Sequence, residues 1–547
     1  MSVDTEALLR RYRAARSRRG AWDGHWRECY DFTLPSRDGS AAGTGTEGAR
    51  RGDRLFDGTA PDAVDQLAAS LLAQLTPPWA RWFGLTAGVD VEDAERDAVA
   101  PLLEKTAEIV RGHFDRANFA VEMHQAYLDL VIAGTASLLF EEAPPGSPSA
   151  FRFTAVPLSE LVVEEGASGR LEITFRRSEA GLATLRERFP VAPLPDALTA
   201  RADDDPDARF AVLEAVTPDP DGAGFVYTAL LDPEGMPAVS EAVVLAEGRF
   251  ARSPFITFRW LKAPGEAYGR SPVMKALPDI KTANKVVELV LKNASISVTG
   301  IWQADDDGVL NPANIRLVPG AIIPKAVGSS GLTPLEAPGR FDVSQLVLDD
   351  LRGRIRHALL VDRLGQPDAP TMTATEVLER SAEMARILGA TYGRLQSELL
   401  TPLVMRALSI LRRRGEIPDL RVDGRVVELT YQSPLARTQA QADAQNTLTW
   451  LTSVAGLGPE AAGAVDTVAA ARWLGRALGV PAELIRETPP EAAPIPGGPV
   501  PLGVAPEAAP PPPSAGAAPP SPDHPAAAVP APAPSPGAGG LAAGGTP

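Results

Sequence analysis

The feature that most constrains the fold is an apolar stripe near the middle of the chain. Its members are apolar except for one asparagine and recur every three or four residues: Val273, Leu277, Ile280, Asn284, Val287, Leu291, Ala294 and Val298. This period places them on one face of an α-helix. Because Pro278 suits the first turn of a helix and not its interior, the sequence predicts a continuous helix from Pro278 to about Val298, about 30 Å long.

A second amphipathic helix follows after a short β-like insert. Asp342-Val343-Ser344-Gln345 has the layout of a capping box, in which an N-cap Asp is followed by Gln three positions later. The helix that it opens is predicted to bury one apolar face, made of Leu346, Val347, Leu351, Ile355 and Leu359. The insert holds strand-like Ile301-Trp302 and Ala321-Ile322-Ile323, and a turn at Asp305-Asp306-Asp307-Gly308. The sequence therefore predicts a hairpin-like unit of two helices around a small β insert.

Helices and short strands are predicted before this unit. The helical segments are Thr5–Arg19, Asp57–Leu75, Val91–Phe114 and Phe119–Ala133. Short β-branched and aromatic runs then predict a mixed sheet region: Ser137–Phe140, Phe151–Val156, Leu171–Arg176, Phe225–Leu231 and Phe255–Trp260. The acidic run Asp203–Asp205 is predicted to be a solvated loop, with cation binding as the alternative. The fold class is therefore α+β and helix-rich.

A long helix is predicted after the hairpin-like unit. A loop at 362–372 precedes a second capping box at 373–376, which opens a helix to residue 414 with a kink at Pro402. The three arginines at 412–414 are predicted to stabilise the C-terminal end of this helix by interacting with the negative end of its dipole. Contact with phosphate is the alternative. Another helical region covers about 436–486. The remaining chain is mostly Ala, Pro and Gly, which predicts disorder.

The charge and cysteine content limit the function classes. The formal net charge is −16 and the pI is near 5.0, whereas tight, indiscriminate DNA binding needs Lys and Arg to displace phosphate counterions. The acidic balance instead fits a surface that DNA passes without sticking. A single cysteine, Cys29, excludes an internal disulfide and indicates a buried thiol in a reducing compartment such as a bacterial cytoplasm. The sequence also lacks a run long and apolar enough for a membrane span, and an apolar signal-peptide core.

No constellation of residues indicates an active site. The patterns of a P-loop, a nucleophile elbow, a zinc protease and a Cys-x-x-Cys site do not occur. The five histidines are scattered without ligand-like spacing, and the adjacent Glu141 and Glu142 cannot point together at one bond without special geometry. We therefore predict no catalytic residue, no metal ligand and no cofactor, which weighs against a packaging enzyme or nuclease.

Several short phrases occur in the order found in one known family. They are LFDGT at 55–59, LAASLLAQLTPPWARWFGL at 67–85, YGRSPVMKALPDIK at 268–281, NPANIRLVPG at 311–320, MTATEVLER at 372–380 and SPLAR at 433–437. In these phrases, which cover about residues 5–440, the chain resembles the portal, or head-to-tail connector, protein family of short-tailed double-stranded DNA bacteriophages. The Ala/Pro-rich tail lies outside the resemblance.

The resemblance implies the portal fold and a homo-oligomeric ring, usually of twelve subunits. Carried onto this sequence, its parts are the wing (1–270), the two stem helices (271–299 and 342–361), the clip (300–341), the tunnel loop (362–372), a long wing helix with a short strand (373–432), the crown (433–486) and a disordered tail (487–547). Stem helices in a ring must bury both flanks, which suits broad apolar stripes. Asn284 and Arg354 interrupt the stripes, either to set register or through simple surface exposure.

The resemblance also implies a passive role, not an enzyme. The ring would sit at one capsid vertex, pass double-stranded DNA during packaging and ejection, and dock the terminase packaging motor and then tail adaptor proteins. Major capsid and scaffolding proteins are further implied partners, with assembly in the host cytoplasm and final location in the virion. The candidate residues are Asp362, Arg363 and Gln366 for the DNA channel; Ile280, Val287, Leu291, Leu351 and Ile355 for stem packing; and Trp302, Asp305 and Asp306 for clip docking. The alternative is another head-completion or tail adaptor ring.

Overall fold

The computed structural model describes most of the first 480 residues. The described residues are 4–37, 52–78, 80–88, 90–91, 93–222, 224–232, 242–299, 302–304, 327–328, 332–334, 341–361, 388–420, 422–431, 434–457, 465–478 and 480. The predicted tunnel loop, most of the predicted clip and the predicted tail at 487–547 lie outside them. Statements below refer to the described part of the chain.

Long helices open the chain: α1 (Thr5–Thr33), α2 (Thr59–Leu75), α3 (Asp93–Arg116) and α4 (Phe119–Ala133). The carboxylate of Asp4 caps α1 by accepting the N–H of Ala7 at 2.9 Å. The helix extends well beyond the predicted segment because Trp26 and Tyr30 in its second half are buried in the main core. Helix α4 ends at Gly134 as predicted, in the left-handed region at φ +77.

Antiparallel sheets form the middle of the chain. The strands are β1 (Phe83–Ala87), β2 (Thr135–Glu142), β3 (Phe151–Val156), β4 (Leu161–Glu165), β5 (Leu171–Gly181), β6 (Arg209–Pro218), β7 (Phe225–Leu231), β8 (Val243–Phe250) and β9 (Phe255–Arg259). One sheet has the order β3-β2-β9 and another the order β4-β5-β6-β7-β8. Each of the predicted runs is a strand. The sequence missed β1, β4, β6 and β8, whose neighbours in the sheets decide their structure.

Two short helices follow β5, namely α5 (Leu182–Arg188) and α6 (Asp196–Asp204). The prediction of a loop at Asp203–Asp205 is wrong, since Asp203 and Asp204 end α6. The helix forms because Leu198 packs with Leu185 and Phe210 under the five-stranded sheet. Packing against the sheet thus overrides the acidic run.

The core is organised around the two large sheets. Phenylalanines from α3, α4 and sheet β3-β2-β9 form an aromatic cluster, in which the rings of Phe140 and Phe153 lie 4.4 Å apart. The first turns of α1 cover one face of the five-stranded sheet, where Tyr12 contacts Phe175. Because side chains alternate along a strand, α5 and α6 cover the other face.

The central unit has the predicted order of helix, β insert and helix. Helix α7 spans Pro272–Thr299 and helix α8 spans Phe341–Ala358. Between them, β10 (Trp302–Ala304) pairs antiparallel with β11 (Leu332–Pro334). The prediction that the first helix begins at Pro278 is wrong, because Ser271 accepts the N–H of Met274 at 2.9 Å and caps a helix that begins six residues earlier.

Packing explains why Pro278 is tolerated inside α7. A proline there removes one helical hydrogen bond, which costs about 3 kcal/mol in a helix interior. The turn that precedes it buries Val273, Ala276 and Leu277 in the main core. Burial contributes about 1.5–3 kcal/mol for Val273 and a similar amount for Leu277, so together they offset the cost of the lost hydrogen bond.

The start and the buried face of α8 also differ from the predictions. The helix begins at Phe341, so Asp342 is its second residue and not its N-cap. Leu346 and Val347 were predicted to be buried, but they are 74% and 44% exposed. The buried residues are Leu348, Leu351, Ile355 and Leu359, whose spacing of three and four residues defines one face. Leu346 does not share that face.

The last part of the chain is helical around one short strand. Residues 388–395 are helical, a π-helical turn spans Gln396–Leu400, and α9 covers Thr401–Arg413. The irregular turn lies directly before Pro402, where a kink was predicted, because a proline cannot donate the regular helical hydrogen bond. Strand β12 (Val427–Tyr431) pairs with β1, and α10 (Pro434–Gly456) and α11 (Thr467–Ala477) follow. Within the described residues, no helix combines the length and apolar character that a bilayer crossing requires.

The end of α9 is capped as predicted. Gly415 has φ +73, and the N–H of Glu416 donates to the carbonyl of Leu411 at 3.0 Å, which is the Schellman arrangement. The arginines at 412–414 form ion pairs with Asp419, Glu142 and Glu416. Their guanidinium groups are thus engaged with carboxylates within the chain, which disfavours the phosphate alternative.

Candidate functional site

The helix pair α7/α8 is antiparallel. Asp279 of α7 and Arg354 of α8 form an ion pair of 2.9 Å. Further along α7, Asn284 contacts Asp57, which also pairs with Arg352, two positions earlier in α8. Residue numbers therefore increase along α7 in the direction in which they decrease along α8. The two helices run in opposite directions, and the chain reverses across the insert.

The inner face of the pair contains most of the residues predicted for stem packing. Ile280, Leu351 and Ile355 are buried, and Val287 is partly buried against the same core. Leu291 is 52% exposed. Contacts within one chain therefore account for the burial of these residues, and their predicted role between subunits stays a prediction.

Asn284 anchors α7 to the segment that precedes α2. Its side-chain oxygen accepts the N–H of Phe56 at 2.6 Å and that of Asp57 at 3.1 Å, and its amide donates to the carbonyl of Arg54 at 2.9 Å. Asn284 is 6% exposed, so the interpretation as simple surface exposure is wrong. Three of the four hydrogen bonds that an asparagine side chain can form are therefore made. They fix the position of α7 against the segment that precedes α2.

Asp57 joins both helices to α2. One carboxylate oxygen accepts a hydrogen bond from the backbone N–H of Thr59 at 2.9 Å. The other accepts hydrogen bonds from Nε and Nη2 of Arg352 at 3.0 and 2.8 Å. Burial raises the pKa of Asp57, but the hydrogen bonds from Thr59 and the Arg352 guanidinium outweigh it and hold the pKa below its ordinary value. The folded structure therefore favours the ionised carboxylate.

A buried ionic cluster joins β9 to the π-helical turn. Arg259 is fully buried, and its guanidinium donates to Glu398 at 2.6 and 3.2 Å and to the carbonyl of Ala267 at 2.9 Å. The backbone N–H of Arg259 also donates to Glu398 at 3.0 Å. Such bidentate pairing positions the helix rigidly. Sequence reasoning missed this cluster, because its two partners lie 139 residues apart.

The described residues contain neither a metal-binding cluster nor an exposed cysteine. No group of three or more His, Cys, Asp and Glu side chains is close enough to hold a metal ion among them. Cys29 is buried, and burial raises the pKa of its thiol to about 12, which makes it a poor nucleophile. A cleft of about 480 Å³ lies beside Trp22, and Arg270 and Glu266 on its wall are paired with each other.

The other predicted site residues lie mostly outside the described part. Asp305 and Asp306 of the predicted clip, and Asp362, Arg363 and Gln366 of the predicted tunnel loop, are not among the described residues. Trp302 is the first residue of β10. Conversely, the anchoring role of Asp57 was missed, although a polar residue within the apolar stripe of α7 was a signal for such a contact.

Comparison with known proteins identifies a family over nearly the whole described chain. Residues 5–485 match the family described as "Bacteriophage head to tail connecting protein". A probable portal protein of Bordetella phage BPP-1 is 26% identical over 88% of this chain and 89% of that protein. The portal protein of Escherichia phage T7 is 24% identical over 75% of this chain and 75% of that protein. The portal protein of Salmonella phage epsilon15 is 22% identical over 80% of this chain and 80% of that protein.

Solved structures show a weaker likeness. A chain from the virion of a native gene transfer agent particle has a TM-score of 0.35 at 14% identity, covering 76% of this chain and 93% of that chain. A chain from the neck of the native particle, computed with C12 symmetry, has a TM-score of 0.34 at 13% identity, covering 71% and 86%. The sequence match is the stronger finding, and by it the chain belongs to the bacteriophage head to tail connecting protein family.

Proposed function

We propose that the chain is the subunit of a portal ring that occupies one capsid vertex, passes double-stranded DNA and joins the head to the tail. The observation that carries this is the family match over residues 5–485, together with similarity to portal proteins over three quarters or more of this chain. The role is structural. A ring requires heterologous contacts that close by rotation, and twelve subunits are the number that we expect.

The parts of a portal subunit are assigned by position. Helices α7 and α8 would form the stem, and residues 300–341 would form the clip. Residues 362–372 would be the tunnel loop, and α10 with α11 would be the crown. The elements before α7 and the helix that ends at Arg413 would form the wing. The antiparallel helix pair supports this, because a stem of two helices must return the chain to the wing. The tail at 487–547 stays a prediction of disorder.

The charge of the ring supports free passage of DNA. Twelve subunits at −16 each give −192, a field that repels phosphate unless local cations offset it. We propose that Arg363 supplies the local contact, with Asp362 and Gln366 beside it in the tunnel loop. Arg363→Ala rings should then assemble normally but retain less DNA in filled heads, whereas Arg10→Ala, which removes an exposed arginine of α1, should retain the wild-type amount.

The clip is the proposed docking surface for the packaging motor and later for tail adaptor proteins. Trp302, Asp305 and Asp306 are its candidate residues, since aromatic side chains are enriched in protein interfaces and the rim of an interface is polar. Contacts with scaffolding and major capsid proteins would place assembly in the host cytoplasm and the finished ring in the virion. The test of this part is binding of purified terminase to rings with and without Trp302→Ala.

Microscopy and mass measurement test the function as a whole. Negative-stain images of the purified protein should show rings with a central hole of the width of duplex DNA, and native mass spectrometry should give about twelve chains. A protein that stays monomeric at all concentrations would refute the proposal. A ring that never occurs at the DNA-entry vertex of the head would favour the alternative, a head-completion or tail adaptor ring.

A further inference from the structure

The five-stranded sheet is covered on both faces at the same place. Leu213 of β6 lies opposite Leu230 of β7, and the adjacent pair is Val212 with Leu231. Because side chains alternate along a strand, these two pairs point to opposite faces of the sheet. Leu213 and Leu230 pack with the first half of α1, whereas Val212 and Leu231 pack with α5 and α6. Helices α1 and α6 therefore lie on opposite sides of the same part of the sheet.

The side of α1 that points away from the sheet is basic. At about 100° per residue, Arg10 lies roughly opposite Tyr12, and Arg13 lies roughly opposite Ala15. Tyr12 and Ala15 are buried against the sheet. Arg10 and Arg13 are exposed, and neither forms an ion pair with the described residues. The exposed side of residues 10–18 is called the basic face below.

The other charges near α1 do not neutralise this face. Residues 4–18 contain five arginines and only two carboxylates, those of Asp4 and Glu6. Arg11 and Arg18 both pair with Glu164 of β4, so two cations share one carboxylate. Five arginines against three carboxylates leave an excess of two positive charges on this side of the sheet.

The side of α6 that points away from the sheet is acidic. Residues 196–207 contain five aspartates and one arginine. Asp196 and Asp203 both lie roughly opposite Leu198, which is buried against the sheet. Asp203 and Asp204 are exposed, and neither has an ion-pair partner in the described part of the chain. The exposed side of residues 196–207 is called the acidic face below.

The arginines beside the acidic face do not cancel its charge. Arg188 of α5 pairs with the buried Glu214 at 2.6 Å, and Arg186 donates to the hydroxyl of Thr199 at 3.2 Å. Residues 182–209 contain six carboxylates and four arginines. Because Glu214 neutralises Arg188, an excess of three negative charges remains on this side of the sheet.

We propose that the basic face of one subunit docks on the acidic face of the next copy. Opposite potentials across a contact favour encounter and fix its register. The contact joins opposite sides of one sheet, so it is heterologous and propagates from copy to copy instead of stopping at a dimer. It rests on the proposed function for the presence of a second copy, and it names the surfaces that meet. Duplex DNA would also suit the basic face, but it would leave the acidic face without a counterpart.

Charge reversal tests the contact. One variant carries Arg10→Glu and Arg13→Glu, a second carries Asp203→Lys and Asp204→Lys, and a third carries all four substitutions. Their net charges are −20, −12 and −16, against −16 for the wild type. Mass photometry over a dilution series measures the concentration at which half of the chains are in rings. Circular dichroism checks folding, which the second variant should retain because lysine suits the C-terminal end of a helix.

The first two variants should raise the half-assembly concentration by at least about tenfold, because each contact changes from attraction to repulsion. The second variant has less net charge than the wild type, so its defect would not come from overall repulsion. The fourfold variant should form rings close to the wild-type concentration, since its faces are again complementary. An equimolar mixture of the first two should also recover rings, with the variants alternating. Higher salt should weaken wild-type rings.

The outcomes separate this inference from the proposed function. Wild-type rings together with unchanged assembly of the first two variants would overturn the contact and leave the portal proposal intact. Failure of both the fourfold variant and the mixture would also overturn it, because the loss would then not depend on charge pairing. A wild type that never assembles overturns the ring and this contact with it.

A gel-shift assay with a short duplex distinguishes the competing occupant. If rings that carry Arg10→Glu and Arg13→Glu assemble at the wild-type concentration but lose duplex binding, the basic face binds DNA and the contact between copies is overturned. Arg10→Ala alone removes one of five arginines and leaves the face basic, so rings of that variant should still form.

Discussion

Replacing Asn284 with alanine should release helix α7 from the segment before α2. The substitution removes two hydrogen bonds accepted from the N–H groups of Phe56 and Asp57 and one donated to the carbonyl of Arg54. At about 1 kcal/mol net each, these sum to about 3 kcal/mol. Asp57 is 6% exposed, so water does not easily replace its lost partner.

Hydrogen–deuterium exchange is the suitable assay, because a chain of 547 residues need not unfold in one two-state transition. If the free energy of local opening falls by about 3 kcal/mol, the amides of Phe56 and Asp57 should exchange about 100-fold faster. Peptides from the five-stranded sheet should exchange as in the wild type, since they do not contact this anchor.

The neighbouring residue provides a matched control. The Lys285 ammonium is exposed and pairs with Glu288 at 3.0 Å on the surface of the same helix. Lys285→Ala should therefore change local stability by less than about 0.5 kcal/mol. Equal exchange in the Asn284→Ala variant and the wild type, or equal effects of the two substitutions, would refute the reasoning that the buried hydrogen bonds hold the helix.

Three further predictions concern buried polar groups. Glu398→Ala should lower the free energy of unfolding by about 3–5 kcal/mol, because it leaves the buried Arg259 with only the longer 3.5 Å ion pair to Glu165, and thermal denaturation should show an earlier transition. Cys29 should resist alkylation by iodoacetamide at pH 8 in the native protein and react in denaturant, as read by mass spectrometry, since burial raises the pKa of its thiol to about 12. The stabilisation from Asp57 should be present above its unfolded pKa of about 3.9 and lost as the pH falls through its lower folded pKa. Asp57→Asn should thus melt earlier than the wild type at pH 7, by an amount that shrinks as the pH is lowered below about 3.9; a difference that stays constant over this range would contradict this.

Local sequence signals predicted the elements more reliably than their ends. Glycine at the left-handed position ended α4 and α9 where expected, because few other residues adopt that conformation without strain. The start of α7 was wrong, since the cap at Ser271 and burial of the first turns outweigh the local preference of Pro278. The strands β4, β6 and β8 were missed although each of them pairs with a strand that is its neighbour along the chain.

The sequence alone determined most of the long helices, the helix–insert–helix order of the central unit, the acidic charge and the resemblance to a phage connector family, because these depend on residue type and short-range spacing. The tertiary structure decided which faces are covered. Periodicity shows that a helix has an apolar face, but it does not show what packs there. Leu346 was therefore predicted to be buried, and for Asn284 the sequence did not distinguish a register role from surface exposure. The hydrogen bond between Asn284 and Phe56 joins residues 228 positions apart, and such contacts exist only once the chain has folded.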